Sequence, residues 1–140
     1  MTGSYAGDLS PRDAWAALEL DPGAVLIDVR TKAEWSYVGV PDLAQLDRPV
    51  LKIEWQSWPD GTRNPRFADE VAAAGVTADQ KVLLLCRSGV RSKAAAQLLT
   101  AQGWTRCYNI GDGFDGPHDE NEHRGHLAGW KHDGLPWTQG

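Results

Sequence analysis

The chain has 140 residues, 41% of them hydrophobic and 24% charged, the composition of an ordinary globular domain long enough to bury a core. Nineteen Asp and Glu against fourteen Lys and Arg give a formal net charge of -5, which argues against nonspecific binding to nucleic acid or to an anionic membrane. No apolar run reaches membrane-spanning length, and two cysteines do not make a disulfide framework.

The start, MTGSYAGDLSPRD, has neither a basic beginning nor an apolar stretch, so no secretory signal is expected. A reducing cytoplasm, where a thiol stays available for chemistry, is the expected compartment. Ser10-Pro11 predicts a helix start, with Ser10 as N-cap and Pro11 in the first turn. Ala14, Trp15, Ala17 and Leu18 give that helix its apolar face, and DPG at 21–23 stops it. AVLID, 24–28, is a short β-branched run that predicts a buried strand. Thr31 and Glu34 have capping-box spacing, which places a second short helix carrying Trp35 and Val38.

VLKIEW, 50–55, alternates as a strand does, and PDG at 59–61 marks a turn. A third helix is predicted over 66–74, ended by Gly75. KVLLLC, 81–86, gives the clearest strand, and SKAAAQLLTAQG, 92–103, the clearest helix, with Gly103 as its stop. RCYNI, 106–110, is a further strand, followed by a polar segment and the tail GWKHDGLPW. Strands alternate with helices, which predicts an α/β fold on a mainly parallel sheet.

The chemistry-bearing stretch is Cys86-Arg87-Ser88-Gly89-Val90-Arg91-Ser92. It puts Cys86 at the carboxyl end of a buried strand, the edge where ligands bind in open α/β sheets. A tight loop that feeds a helix N-terminus can aim several amides at one spot, and the helix dipole adds partial positive charge there. No acid stands between positions 81 and 111, whereas Lys81, Arg87, Arg91, Lys93 and Arg106 do. Amides and bases together favour a solvent-reachable thiolate over a thiol. The competing reading, a small apolar cysteine finishing a strand, fits Cys107 better, because no loop follows it.

Three other patterns carry less. The G-x-G-x-x-G run at 111–116 lacks the following helix of a dinucleotide site. His118, His123, His126 and His132, beside Asp119, Glu120 and Glu122, fit no zinc spacing and read as a solvated loop. Asp28, Arg30 and Glu34 read as a structural group at a strand exit, with Arg30 paired to Glu34 at i, i+4. Of seven tryptophans, Trp15, Trp35 and Trp104 fit core-facing positions, while Trp55, Trp58, Trp130 and Trp137 fit loops or a rim. No metal or cofactor is expected.

The stretch 86–92 resembles the active-site loop of rhodanese-like sulfurtransferases. LIDVRTKAEW, 26–35, is similar to that family's Asp-Val-Arg…Glu motif, YNIGDGFDG, 108–116, to its segment after the last strand, and GWKHDGLPW, 129–137, to its C-terminal signature. The resemblance spans nearly the whole chain. It implies a single rhodanese-like domain over 1–140, a five-stranded parallel sheet with helices on both faces, and a polar insertion at 117–125.

It also implies that Cys86 is a nucleophile carrying sulfane sulfur as a persulfide. Arg87, Ser88, Gly89, Val90, Arg91 and Ser92 would then bind a small anionic donor such as thiosulfate, and a thiol or cyanide, on a small molecule or a protein, would be the acceptor. Related cysteine phosphatases and arsenate reductases place five residues between Cys and Arg; here four separate Cys86 from Arg91, the sulfurtransferase length. A rhodanese-fold module that only binds a partner is the alternative, and the intact cysteine argues against it. Oligomeric state is left open.

Overall fold

A computed structural model describes residues 4–57, 59–117, 120, 121, 124 and 128–139. Its elements in chain order are β1 (Gly7–Leu9), α1 (Pro11–Leu20), β2 (Val25–Asp28), α2 (Lys32–Tyr37), β3 (Val40–Pro41), β4 (Leu51–Lys52), α3 (Phe67–Ala73), β5 (Val82–Leu85), α4 (Val90–Ala101), β6 (Cys107–Ile110) and β7 (Trp137–Thr138). A 3₁₀ turn, Ala44–Leu46, lies between β3 and β4. Five strands form one parallel sheet in the order β1-β6-β5-β2-β4. The remaining two, β3 and β7, pair antiparallel.

The apolar run of β5 is continuous because both of its faces are covered. Side chains alternate across a strand. Val82 and Leu84 therefore join Ile27, Phe67 and Val71 of α3, and Ala95, Ala96 and Leu99 of α4. Leu83 and Leu85 point the other way, toward Ala14 and Leu18 of α1, with Phe114 and Trp130. The helices thus stand on both faces, as expected. Each of these fully buried leucines contributes on the order of 1.5–3 kcal/mol.

Local signals set the helix ends. Ser10 Oγ accepts from the Asp13 amide at 3.1 Å with Pro11 in the first turn of α1. Thr31 and Glu34 form the complete capping box of α2. Gly75 and Gly103 follow α3 and α4 in left-handed backbone.

The structure corrects several expectations. β1 precedes the Ser10 cap unannounced: three residues show no periodicity, and the strand exists because its backbone finds β6, with Ala6 N donating to Cys107 O and Gly111 N to Leu9 O. The 50–55 strand contributes only Leu51 and Lys52 to the ladder, although the Ile53 and Trp55 amides still reach the Asp28 and Val29 carbonyls. Helix α4 starts at Val90 rather than Ser92, so Arg91 and Ser92 are helical residues. Trp15 and Trp104 pack half-buried against the core, as their core-facing positions predict, and Trp35 is half-buried; Trp55 and Trp130, read as loop or rim, lie in the core itself. Trp58, His118, Asp119, Glu122, His123 and His126, and with them part of the 117–125 segment, lie outside the described residues.

Candidate active site

The carboxyl ends of β2, β5 and β6 meet at one edge of the sheet. Cys86 is the first residue beyond β5. Arg87, Ser88 and Gly89 turn the chain, and α4 begins at Val90. Gly89 is the N-cap with φ +100°, a conformation that costs glycine little; a Cβ there would overlap the Gly111 carbonyl.

Two donors reach the sulfur among the described residues. The Gly89 amide stands 3.1 Å from Sγ and the Ser92 hydroxyl 3.2 Å. Both come from the N-terminal end of a twelve-residue helix, whose dipole favours negative charge at that spot. Where several loop amides were expected, one points at the thiol, joined by a hydroxyl.

The glycine run at 111–116 finds its use here, as the cradle behind this loop. Phe114 N donates to Cys86 O at 2.8 Å, Asp115 N to Arg87 O at 3.0 Å and Gly116 N to Arg87 O at 3.2 Å. Gly113, at φ +69°, lets the turn approach; a Cβ there would overlap the Cys86 and Arg87 carbonyls. Carbonyls held to the rear leave the loop amides free to face forward. The tail braces the cradle, with Trp130 N donating to Gly113 O and Lys131 N to Phe114 O.

The expected pairing of Arg30 with Glu34 does not form. Arg30 is fully buried, bonds Asp28 through Nε and Nη2, and donates from Nη2 to Gly39 O at 2.6 Å. Its guanidinium carbon sits 4.3 Å from the Phe114 ring centre, which ties the β2 exit to the cradle. Glu34 pairs instead with Arg91, Nη1 to Oε1 at 2.7 Å and Nη2 to Oε2 at 2.9 Å. The two side chains are 18% and 20% exposed. Burial works to raise the Glu34 pKa, but the Arg91 hydrogen bonds and charge, the Thr31 amide and Arg30 outweigh it, and the carboxyl sits below its ordinary value. Burial likewise opposes the charge on Arg91; Glu34, then Cys86 and Asp28, outweigh it and raise that pKa.

The five bases of 81–106 do not gather. Lys81 stacks on Tyr108 and Arg106 reaches Asp79 O and Asp21, all at the amino ends of β5 and β6. Arg87 and Arg91 alone of the five line the cavity beside the loop, about 610 Å³, with Glu34, Tyr37 and Arg124. Arg87 is exposed. Cys86 itself is 1% exposed and is not among the lining residues. The expectation of an open sulfur is therefore corrected: Gly89 and Ser92 fold over it while the cradle draws the loop inward.

Cys107 is the contrast. It is buried in β6, and burial pushes its thiol up to about 12, against a smaller opposing pull from Thr100. Both cysteines are free. Glu34, Asn109 and Gly113 are site residues that sequence reasoning left out. Asn109 had a signal: a polar residue interrupting an apolar strand, with the same parity as the inward-facing Cys107.

Among known proteins, the family model described as the STR4 middle domain matches residues 6–140. The crystal structure of Rv0390 from M. tuberculosis is 48% identical, with a TM-score of 0.88, covering 98% of this chain and 100% of that one. A protein of Rickettsia conorii, described as uncharacterized, is 36% identical over 89% of this chain and 90% of its own length. The thiosulfate sulfurtransferase GlpE of Actinobacillus pleuropneumoniae is 30% identical over 92% of this chain and 90% of its own. No helix among the described residues is long and apolar enough to cross a membrane.

Proposed function

We propose that this chain, which belongs to the rhodanese-like family, is a sulfurtransferase that carries sulfane sulfur on Cys86. The thiolate attacks the outer sulfur of an anionic donor, thiosulfate or a persulfide. With thiosulfate, a new S–S bond forms at Cys86, and sulfite leaves with the electron pair of the broken S–S bond. A thiol or cyanide acceptor then attacks the terminal sulfur, and the Cys86 thiolate departs. One transfer becomes two simpler ones, which gives ping-pong kinetics.

The observation that carries this reading is the pair of donors on Sγ at a helix N-terminus, from Gly89 and Ser92. They stabilise the negative charge on sulfur in each half-reaction. Arg87, exposed at the cavity wall, is the cation that receives the donor. Arg91 adds charge from the same wall, but its fork is held by Glu34, so it acts on the anion through space. Ser88 and Gly89 complete the turn, and Val90 opens α4. Four residues between Cys86 and Arg91, and an arginine already engaged, weigh against phosphate-ester chemistry. Two free thiols suit a reducing compartment, and the cytoplasm is the proposed location.

Steady-state transfer from thiosulfate to cyanide tests the proposal. Parallel double-reciprocal lines are expected, with activity at background in Cys86→Ser and near wild type in Cys107→Ser. Undiminished turnover in Cys86→Ser would overturn it.

A further inference from the structure

The Ser92 hydroxyl that reaches the thiol has a second claimant. Ser92 Oγ stands 3.2 Å from Cys86 Sγ and 2.6 Å from Asn109 Oδ1. A serine hydroxyl carries one hydrogen, so it serves one acceptor at a time. The Asn109 amide is not free to turn. Its Nδ2 donates to Asp8 Oδ1 at 3.0 Å, and the parallel register sets Asp8 beside Asn109. Asp8 also accepts from the Tyr5 hydroxyl at 2.8 Å. An ionised carboxylate only accepts, so the amide nitrogen faces Asp8 and the amide oxygen faces Ser92. Ser92 and Asn109 are both buried, where a lost hydrogen bond is not made good by bulk water.

We infer that Asn109 is a positioning residue for the sulfur chemistry, acting by competing with Cys86 for the single hydroxyl hydrogen of Ser92. This rests on the reading of Cys86 as the nucleophile. With the thiol present, S–H donates to Ser92 Oγ while Ser92 donates to Asn109. When the thiol loses its proton to solvent, the hydroxyl swings to the sulfur and joins the Gly89 amide, and Asn109 Oδ1 gives up its donor. In the persulfide the charge sits on the terminal sulfur, and the hydroxyl returns to Asn109. Each half-reaction thus turns one hydroxyl, and Asn109 biases the resting cysteine toward the thiol.

The charged groups around this edge are Arg87 in the loop, Arg91 on α4, Glu34 on α2 and the Asp28–Arg30 pair at the end of β2. Asp112 and Asp115 follow β6, and Asp8 and Tyr5 close the hydrogen-bonded chain at β1. Only Asp8 among them is altered in the test.

The test is the pH dependence of Cys86 alkylation by iodoacetamide, read by peptide mass. Asn109→Leu frees the Ser92 hydrogen and is expected to lower the midpoint by about half to one pH unit, roughly a three- to tenfold faster reaction below it. Ser92→Ala raises the midpoint, and Asn109→Leu adds nothing in that background. An unmoved midpoint, or an equal shift without Ser92, would overturn the inference. Should Asn109→Leu not fold, Asp8 at the exposed edge serves instead. Asp8→Ala releases the amide to flip and lowers the midpoint, whereas Asp8→Asn still accepts from Asn109 and leaves it in place. Equal shifts in both, abolished by high salt, would mean charge alone and contradict the inference. The readout needs no sulfur donor, so it is separate from any failure of Cys86 to take sulfur from thiosulfate.

Discussion

At the scale of single residues, the thiol owes its setting to two glycines as much as to its arginines. Gly113 combines a left-handed backbone with direct contact against the Cys86 and Arg87 carbonyls. Gly113→Ala is expected to cost about 1–3 kcal/mol and to lower sulfur transfer at least roughly tenfold, because the loop it supports must shift. Gly75→Ala is the control: the same backbone region with open space around it, so stability falls and transfer in the folded protein does not. Equal losses of transfer in the two variants, measured at matched folded fraction, would contradict the cradle. Cys86, its basic neighbours and the capping residues were legible in the sequence because each is a local signal. Gly113 was visible only inside longer motifs, the G-x-G-x-x-G run and the family-like stretch 108–116, with no role of its own; that it faces the loop depends on β6 lying beside β5.

At the scale of elements, the pairing that matters joins two helices 57 positions apart in the chain. The i, i+4 spacing pointed Arg30 at Glu34, but Arg30 precedes the α2 cap and is drawn back to Asp28 and Gly39, and α4 supplies the cation. The capping box explains why Glu34 is available: its Oε1 takes the Thr31 amide and hydroxyl at the start of α2, which fixes the carboxylate where Arg91 arrives. A carboxyl whose folded pKa is depressed contributes stability above its unfolded value, and that contribution is lost as pH falls through the folded value. Thermal melts of wild type and Glu34→Gln should therefore differ most near neutrality and converge below the ordinary value of 4.5. Sulfur transfer should fall severalfold with the loosened loop. A stability gap unchanged at acid pH would contradict the ion-pair account.

At the scale of the molecule, the alternation of strands and helices was enough to give a parallel α/β sheet, since the longer elements carry their own period, unlike the three-residue β1. Trp55 and Trp130 were misplaced for a converse reason. Trp130 sits in an irregular tail whose burial depends on folding back over Phe114 and α1, against Trp15 at 6.0 Å, with its indole N–H given to Pro136 O at 2.7 Å. Trp130→Ala should cost about 3–5 kcal/mol by chemical denaturation; a loss under 1 kcal/mol would mean the tail is not core. That packing holds the cradle, the cradle holds the loop, and the loop holds one sulfur atom at the sheet edge. The most direct measurement is the intact mass of the protein after thiosulfate, followed by peptide mapping. A gain of one sulfur confined to Cys86, reversed by cyanide, with Cys107 unmodified, is the predicted result. An unchanged mass, or sulfur found on Cys107, would contradict it.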